Sequence, residues 1–149
     1  MAASIERNKP MKRIILGTVA AVCLVGVGYA AGAKMERADR YFEMRTYYAN
    51  PGKMSALHAR FRDHTMKLFE KHGMQNIGYW QQASGDNAEN TLVYVLAYPS
   101  EEARKKSWDA FGNDPDWKKV KADSEKDGTA LVAKVDIKFL KPTDYSAIK

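Results

Sequence analysis

Residues 40–73, RYFEMRTYYANPGKMSALHARFRDHTMKLFEKHG, decide the fold. Tyr41 to Tyr48 reads as a strand, with Tyr41, Glu43, Arg45 and Tyr47 on one face and Phe42, Met44, Thr46 and Tyr48 on the other. Asn50-Pro51 predicts a helix start, the asparagine capping and the proline at the first helical position, where its missing N–H is no loss. Met54, Leu57, Phe61, Thr65, Leu68 and Phe69 follow as an apolar stripe at helical spacing. Lys71 and His72 complement the negative end of the helix dipole, and Gly73 stops the helix.

A second unit of the same kind lies downstream. Residues 75–82 predict a strand with Ile77, Tyr79 and Trp80 as its large side chains, and 83–90 (ASGDNAEN) a polar hairpin-type loop. Residues 91–98 (TLVYVLAY) are apolar on both faces and predict a central strand. Ser100, followed by Glu101 and Glu102, caps a helix running to about Gly112; Asp114-Pro115 opens a shorter one to about Glu125, and Gly128 breaks it. Residues 131–140 alternate Leu131, Ala133, Val135, Ile137 and Phe139 against Val132, Lys134, Asp136 and Lys138. The order β-α-β-β-α-β is the ferredoxin-like α+β pattern, a four-stranded antiparallel sheet with its helices on one face. Tyr47, Tyr94, Leu96 and Tyr98 are assigned to the opposite face. They are too apolar for solvent there, so a second copy of the chain is expected to cover them, giving a homodimeric α+β barrel.

The first 33 residues read differently. Residues 14–33 (IILGTVAAVCLVGVGYAAGA) carry no charge, Lys12 and Arg13 precede them, and Ala31-Gly32-Ala33 offers a small-residue exit: a signal peptide, or an N-terminal membrane anchor if it is not cut. Met11 opens a tidier leader than the residues before it. Either way the basic flank holds the N-terminus inside and the domain is expected outside, periplasmic or extracellular, with membrane contact only through this segment. Residues 34–40 are a linker, 41–145 the domain and 146–149 a tail. The only cysteine, Cys23, lies in the leader, so the domain has no disulfide and no thiol nucleophile. Of 24 basic and 18 acidic residues, the leader holds four and one; the remaining 20 and 17 leave the domain at +3, interspersed, which argues against nucleic acid as a partner.

From Tyr41 to Tyr145 the chain resembles the NIPSNAP family. Glu43-x-Arg45-x-Tyr47, Pro51-Gly52, the Phe61–His64 segment, Gly78-Tyr79-Trp80 and Ala97-Tyr98-Pro99-Ser100 carry the likeness by their order and spacing. The resemblance implies a dimeric α+β barrel of the broad superfamily that includes small monooxygenases and haem-degrading enzymes. It implies no reaction.

Three histidines, His58, His64 and His72, sit at separations of six and eight, which makes no helical chelate; no metal and no cofactor is expected. His64, at the edge of the sheet-facing stripe, is the candidate catalytic base, or a haem ligand on a third reading. Glu43 and Arg45 are expected to meet Lys134, Asp136 or Lys138, as an ion network or as a polar floor for a small anionic or carbonyl-bearing ligand. Tyr47, Tyr79, Trp80 and Tyr94 would wall that cavity. Trp108, Phe111 and Trp117 read as anchors between helices and sheet, and the Arg104-Lys105-Lys106 run as a solvated face. The leading expectation is a homodimeric module binding a small hydrophobic or aromatic molecule; the alternative is a cofactor-independent monooxygenase or isomerase.

Overall fold

The structure, a computed structural model, describes residues 40–149; the apolar leader lies outside the described residues. Strand alternation becomes β1 (Tyr41–Ala49), and Asn50–Lys53 then turns the chain. Asn50 does not cap a helix here. Its carbonyl accepts from Lys53 N–H at 2.9 Å, Gly52 takes φ +73°, and its side chain reaches the Ala130 carbonyl at 2.7 Å. Proline followed by a left-handed glycine favours a type II turn over a helical first turn. Helix α1 therefore starts three residues later, at Met54–Arg60.

Residues Phe61–Thr65 form a π-turn before α2 (Met66–Lys71): Met66 N–H bonds the Phe61 carbonyl five residues back, and the Thr65 hydroxyl bonds the Arg60 carbonyl at 3.1 Å. The extra residue in this turn shifts the helical phase. Thr65 is buried, and His64 is turned out to solvent.

Strands β2 (Gln75–Gln81) and β3 (Thr91–Tyr98) follow, joined by a loop ending in a 3₁₀ turn. Helices α3 (Glu101–Asn113) and α4 (Pro115–Ser124) start at the caps the sequence marks: the Ser100 hydroxyl accepts from Ala103 N–H at 3.1 Å, and Asp114 from Asp116 N–H at 2.8 Å. Strand β4 (Val132–Leu140) completes an antiparallel sheet in the order β2-β3-β1-β4.

Register decides what faces the helices. Glu43 pairs with Leu96 and Phe139, Arg45 with Tyr94 and Ile137, and Tyr47 with Leu92 and Val135, all on the helix-covered face. Tyr47, Tyr94, Leu96 and Tyr98 thus lie under the helices, correcting the expectation that they need a second sheet. A strand apolar on both sides carries no parity signal, and a one-residue change inverts every side chain. The same parity separates Glu43 and Arg45 from Lys134, Asp136 and Lys138, which pair with Tyr48, Thr46 and Met44 on the uncovered face. That face also holds Val93, Val95 and Trp80, while the C-terminal residues fold over one end of it, against Phe42, Ile77 and Leu140.

The core is aromatic. Tyr94, fully buried, packs against Tyr47 (5.1 Å between centroids), Phe61 (5.2 Å), Tyr79 (5.4 Å) and Phe69 (6.1 Å). Its hydroxyl finds no hydrogen-bond partner among the described residues, and burial pushes its pKa well up. An unpaired buried hydroxyl costs about 1–3 kcal/mol. Tyr94→Phe should therefore stabilise the protein by about 1 kcal/mol, read as a rise in the urea midpoint at unchanged slope. A fall in midpoint would mean that the hydroxyl is satisfied.

Candidate functional site

Glu43 lies at the meeting point of β1, β3 and α3 and is fully buried. Arg104 grips it with a two-pronged fork, Nε to Oε2 and Nη2 to Oε1, each at 3.0 Å. Trp108 Nε1 donates to Oε2 at 2.7 Å, and the Tyr98 hydroxyl donates to the same oxygen at 2.9 Å. Arg104 and Trp108 stand four residues apart on α3, so one helix face delivers both donors. Burial pushes the Glu43 carboxyl up, but hydrogen bonds from Arg104 and Trp108, the Arg45 charge and the Tyr98 hydrogen bond outweigh it, holding its pKa below the usual value. The arrangement is a saturated, ionised carboxylate that ties helix to sheet.

That saturation isolates Arg45. Its nearest carboxylate oxygen, Glu43 Oε1, is 3.8 Å away, beyond hydrogen-bond length, and the side chain is only 13% exposed. Its guanidinium lies 4.1 Å from the Trp108 ring centre and 5.5 Å from that of Tyr47, and its buried Nε has no partner among the described residues.

Tyr47 and Trp108 also line a cavity of about 350 Å³ between sheet and helices. Phe61, Phe69, Phe111 and Trp117 continue its wall, and Val135 and Lys121 also line it. At the Trp117 end sits Arg60, 6% exposed, donating to Glu125 at 2.9 Å and to Ser124 at 3.2 Å, its own Nε unpaired. The volume falls in the range of small-molecule sites, and an aromatic wall with few polar groups is their usual composition.

The residues singled out from sequence are divided by this geometry. Tyr47 lines the cleft, whereas Arg45 is not among its lining residues and lies over the Tyr47 and Trp108 rings. Tyr94 supports the cleft from beneath, packed on Tyr47. Glu43 is sealed below Arg104. Trp80 is on the opposite face, 54% exposed, its ring lying over Gly78. His64 lines a separate surface groove with Lys119 and Asp123. His58 bonds Gln81 at 3.1 Å, and His72 bonds Asp114 at 2.5 Å. Arg60, Arg104 and Trp108 were the residues sequence reasoning undervalued. Arg104, Trp108 and Phe111 fall on one α3 face at spacings of four and three, and an arginine inside such a stripe was the available signal.

Asp114 is a second buried carboxylate. Hydrogen bonds from Lys71 (2.8 Å) and then His72 hold its pKa well below the usual range, against its burial. For depressed carboxylates such as Glu43 and Asp114, the stabilisation is present above the unfolded-state pKa and is lost as pH falls through the native one. The urea midpoint should be level from about pH 7 to 5 and drop below about pH 4. Asp114→Asn should flatten part of that acid limb; an unchanged limb would refute its assignment.

A four-stranded antiparallel sheet backed on one face by helices, with a cleft between the layers, makes this a ferredoxin-like α+β domain. The NIPSNAP family profile matches residues 42–147, and the chain belongs to the NIPSNAP family. Among solved structures it is similar to a NIPSNAP family protein with unknown function from Agrobacterium tumefaciens, at 22% identity, covering 75% of this chain and 96% of that one with a TM-score of 0.63. A second A. tumefaciens family protein matches at 20% identity, 74% and 99% coverage and 0.64. An uncharacterized NIPSNAP-like domain protein from Burkholderia xenovorans matches at 19%, 73% and 90%, and 0.63. At these identities the likeness is one of fold. No curated protein matches the chain.

Proposed function

We propose that the protein is an exported small-molecule-binding module that works as a homodimer and holds an aromatic or apolar ligand bearing a carboxylate in the cleft between sheet and helices. One observation carries the ligand reading. Arg45, outside the lining of the aromatic cavity, is a largely buried guanidinium with no hydrogen bond among the described residues, placed over the Tyr47 and Trp108 rings that do line it. Most buried donors are paired, and the planar fork of arginine fits a carboxylate with two parallel bonds. Pairing of copies is supported by the apolar side chains on the uncovered sheet face, Met44, Val93, Val95 and Trp80 among them. Export rests on the uncharged run 14–33 and its basic flank. A catalytic or haem-ligating His64 draws no support from its exposed position, away from the cleft.

The test uses the full chain from an exporting host. Calorimetric titration with 2-naphthoate should show saturable binding, and Arg45→Gln should weaken it about tenfold or more while the melting temperature stays close to the parent's. No binding, or equal binding by Arg45→Gln, overturns the ligand reading. Native mass spectrometry of the same sample should give a dimer; a monomer at micromolar concentration overturns the pairing.

A further inference from the structure

We infer that two copies of this chain join edge to edge along β4, antiparallel, with Ile137 opposite Ile137 of the partner subunit at a two-fold axis. The inference rests on the homodimer reading above and names its seam. The sheet has two edges, β2 and β4, and they differ. Strand β2 breaks register with β3 between Asn76 and Gly78, and an irregularity of that kind turns an edge away from further pairing. Strand β4 is nine residues long and keeps a regular register with β1 from Lys134 to Leu140. No strand lies beyond it among the described residues, so one side of its backbone is without a ladder partner. Its Val135, Ile137 and Phe139 stand on the helix side of the sheet, opposite Tyr47, Arg45 and Glu43. All three are nevertheless exposed, Phe139 at 51%, so the helix layer does not cover this edge.

The occupant follows from the strand's complementarity to itself in one register. With Ile137 at the axis, Val135 stands opposite the partner's Phe139 and Phe139 opposite the partner's Val135, an unbroken apolar row on the helix side. On the other side Asp136 stands opposite the partner's Lys138, and Lys138 opposite the partner's Asp136. Apolar and opposite-charge pairs across strands stabilise a sheet, whereas like charges directly opposite destabilise it. Centring the pair on Asp136 or on Lys138 sets that charge against its own copy. Centring it on Val135 keeps the charges opposed but carries Phe139 past the end of the partner strand, opposite residue 131. The contact is isologous and consumes both β4 edges, which leaves only the irregular β2 edges outside, so assembly stops at two copies. Val135 lines the cleft, and the pairing brings the partner's Phe139 up beside it.

Sedimentation equilibrium on the full chain from an exporting host tests the seam. The parent should be a dimer. Ile137→Lys sets two like charges face to face at the axis and should weaken dimerisation about tenfold or more, with the far-ultraviolet circular dichroism unchanged because the position is exposed. A charge exchange supplies the specific control. Asp136→Lys turns both cross-strand attractions into repulsions and should weaken the dimer about fivefold or more. Adding Lys138→Asp to the same chain restores opposite charges in this register alone and should recover most of that loss. A dimer undisturbed by Ile137→Lys, or a double variant no tighter than Asp136→Lys, overturns the β4 seam and leaves the homodimer reading standing, the copies then meeting by their uncovered faces. A parent that is monomeric at micromolar concentration ends the homodimer reading, and this inference with it.

Discussion

Replacing Glu43 by alanine should lower stability by about 3–5 kcal/mol, the range seen when one member of a buried ion pair is removed. In a domain of this size that is a fall in melting temperature of roughly 15–25 °C. The magnitude follows from what is left behind. The Arg104 fork loses its acceptor, the Trp108 N–H keeps only the Tyr98 hydroxyl, and the Arg45 charge loses its nearest carboxylate. These groups sit at a seam between β1, β3 and α3 that water does not reach freely. Glu43→Gln, which keeps the shape but not the charge, should fall between parent and alanine. Removing Arg104 together with Glu43 should cost clearly less than the two single losses added, because the second change relieves the charge that the first stranded. Strict additivity would mean that the two do not act as a pair. A loss under about 1 kcal/mol for Glu43→Ala would show that the seam is wet and the carboxylate replaceable by solvent.

The elements were legible in the sequence where local chemistry specifies them. Ser100 and Asp114 announce helix starts because a side-chain oxygen beside free N–H groups is a local fact, and both cap as read. Asn50-Pro51 shows the limit of such reading. The same residues satisfy a turn, and the choice was made by Gly52 and by Ala130 and Leu131 far along the chain. The site was less legible for two reasons. Strand β3 is apolar on both faces, so its own sequence does not say which face meets the helices, and the contacts of Arg104 and Trp108 with Glu43 on β1, across more than 60 residues, leave no local mark. And a π-turn leaves no mark in an apolar stripe: Phe61, His64, Thr65 and Leu68 read as one α-helical face, yet the extra residue turns His64 outward and keeps Thr65 in. The glutamate and arginine of β1 stand out in the sequence, but their roles divide: Glu43 is tied into the fold by Arg104, Trp108 and Tyr98, and Arg45 keeps no hydrogen bond among the described residues.

Phe69→Ala is the second large effect, about 3–5 kcal/mol as for other large-to-small changes at buried aromatic sites. Phe69 is 1% exposed and joins the two halves of the aromatic core: its ring centre is 4.9 Å from Phe111, 5.5 Å from Trp108, 6.1 Å from Tyr94 and 6.2 Å from Phe61. It is also a wall of the cleft, so the space left by its ring opens into an existing cavity of about 350 Å³ instead of forming an isolated void. That geometry separates it from an ordinary core deletion. Phe69→Ala should lose stability and at the same time bind bulkier apolar probes better, with 1-anilinonaphthalene-8-sulfonate fluorescence rising under conditions where the protein remains folded by far-ultraviolet circular dichroism. Phe42→Ala makes the control, since Phe42 is equally apolar but lies on the other sheet face beneath the C-terminal residues. It should lose stability without gaining dye at the cleft, and 2-naphthoate should not displace whatever dye it does bind. If Phe69→Ala and Phe42→Ala bind dye alike, with no displacement by 2-naphthoate in either, the space under the helices is packing slack and the cleft has no special standing as a site. If only Phe69→Ala gains displaceable dye, the ring that holds α2 and α3 to the sheet is also the ring that sets the size of what the cleft accepts.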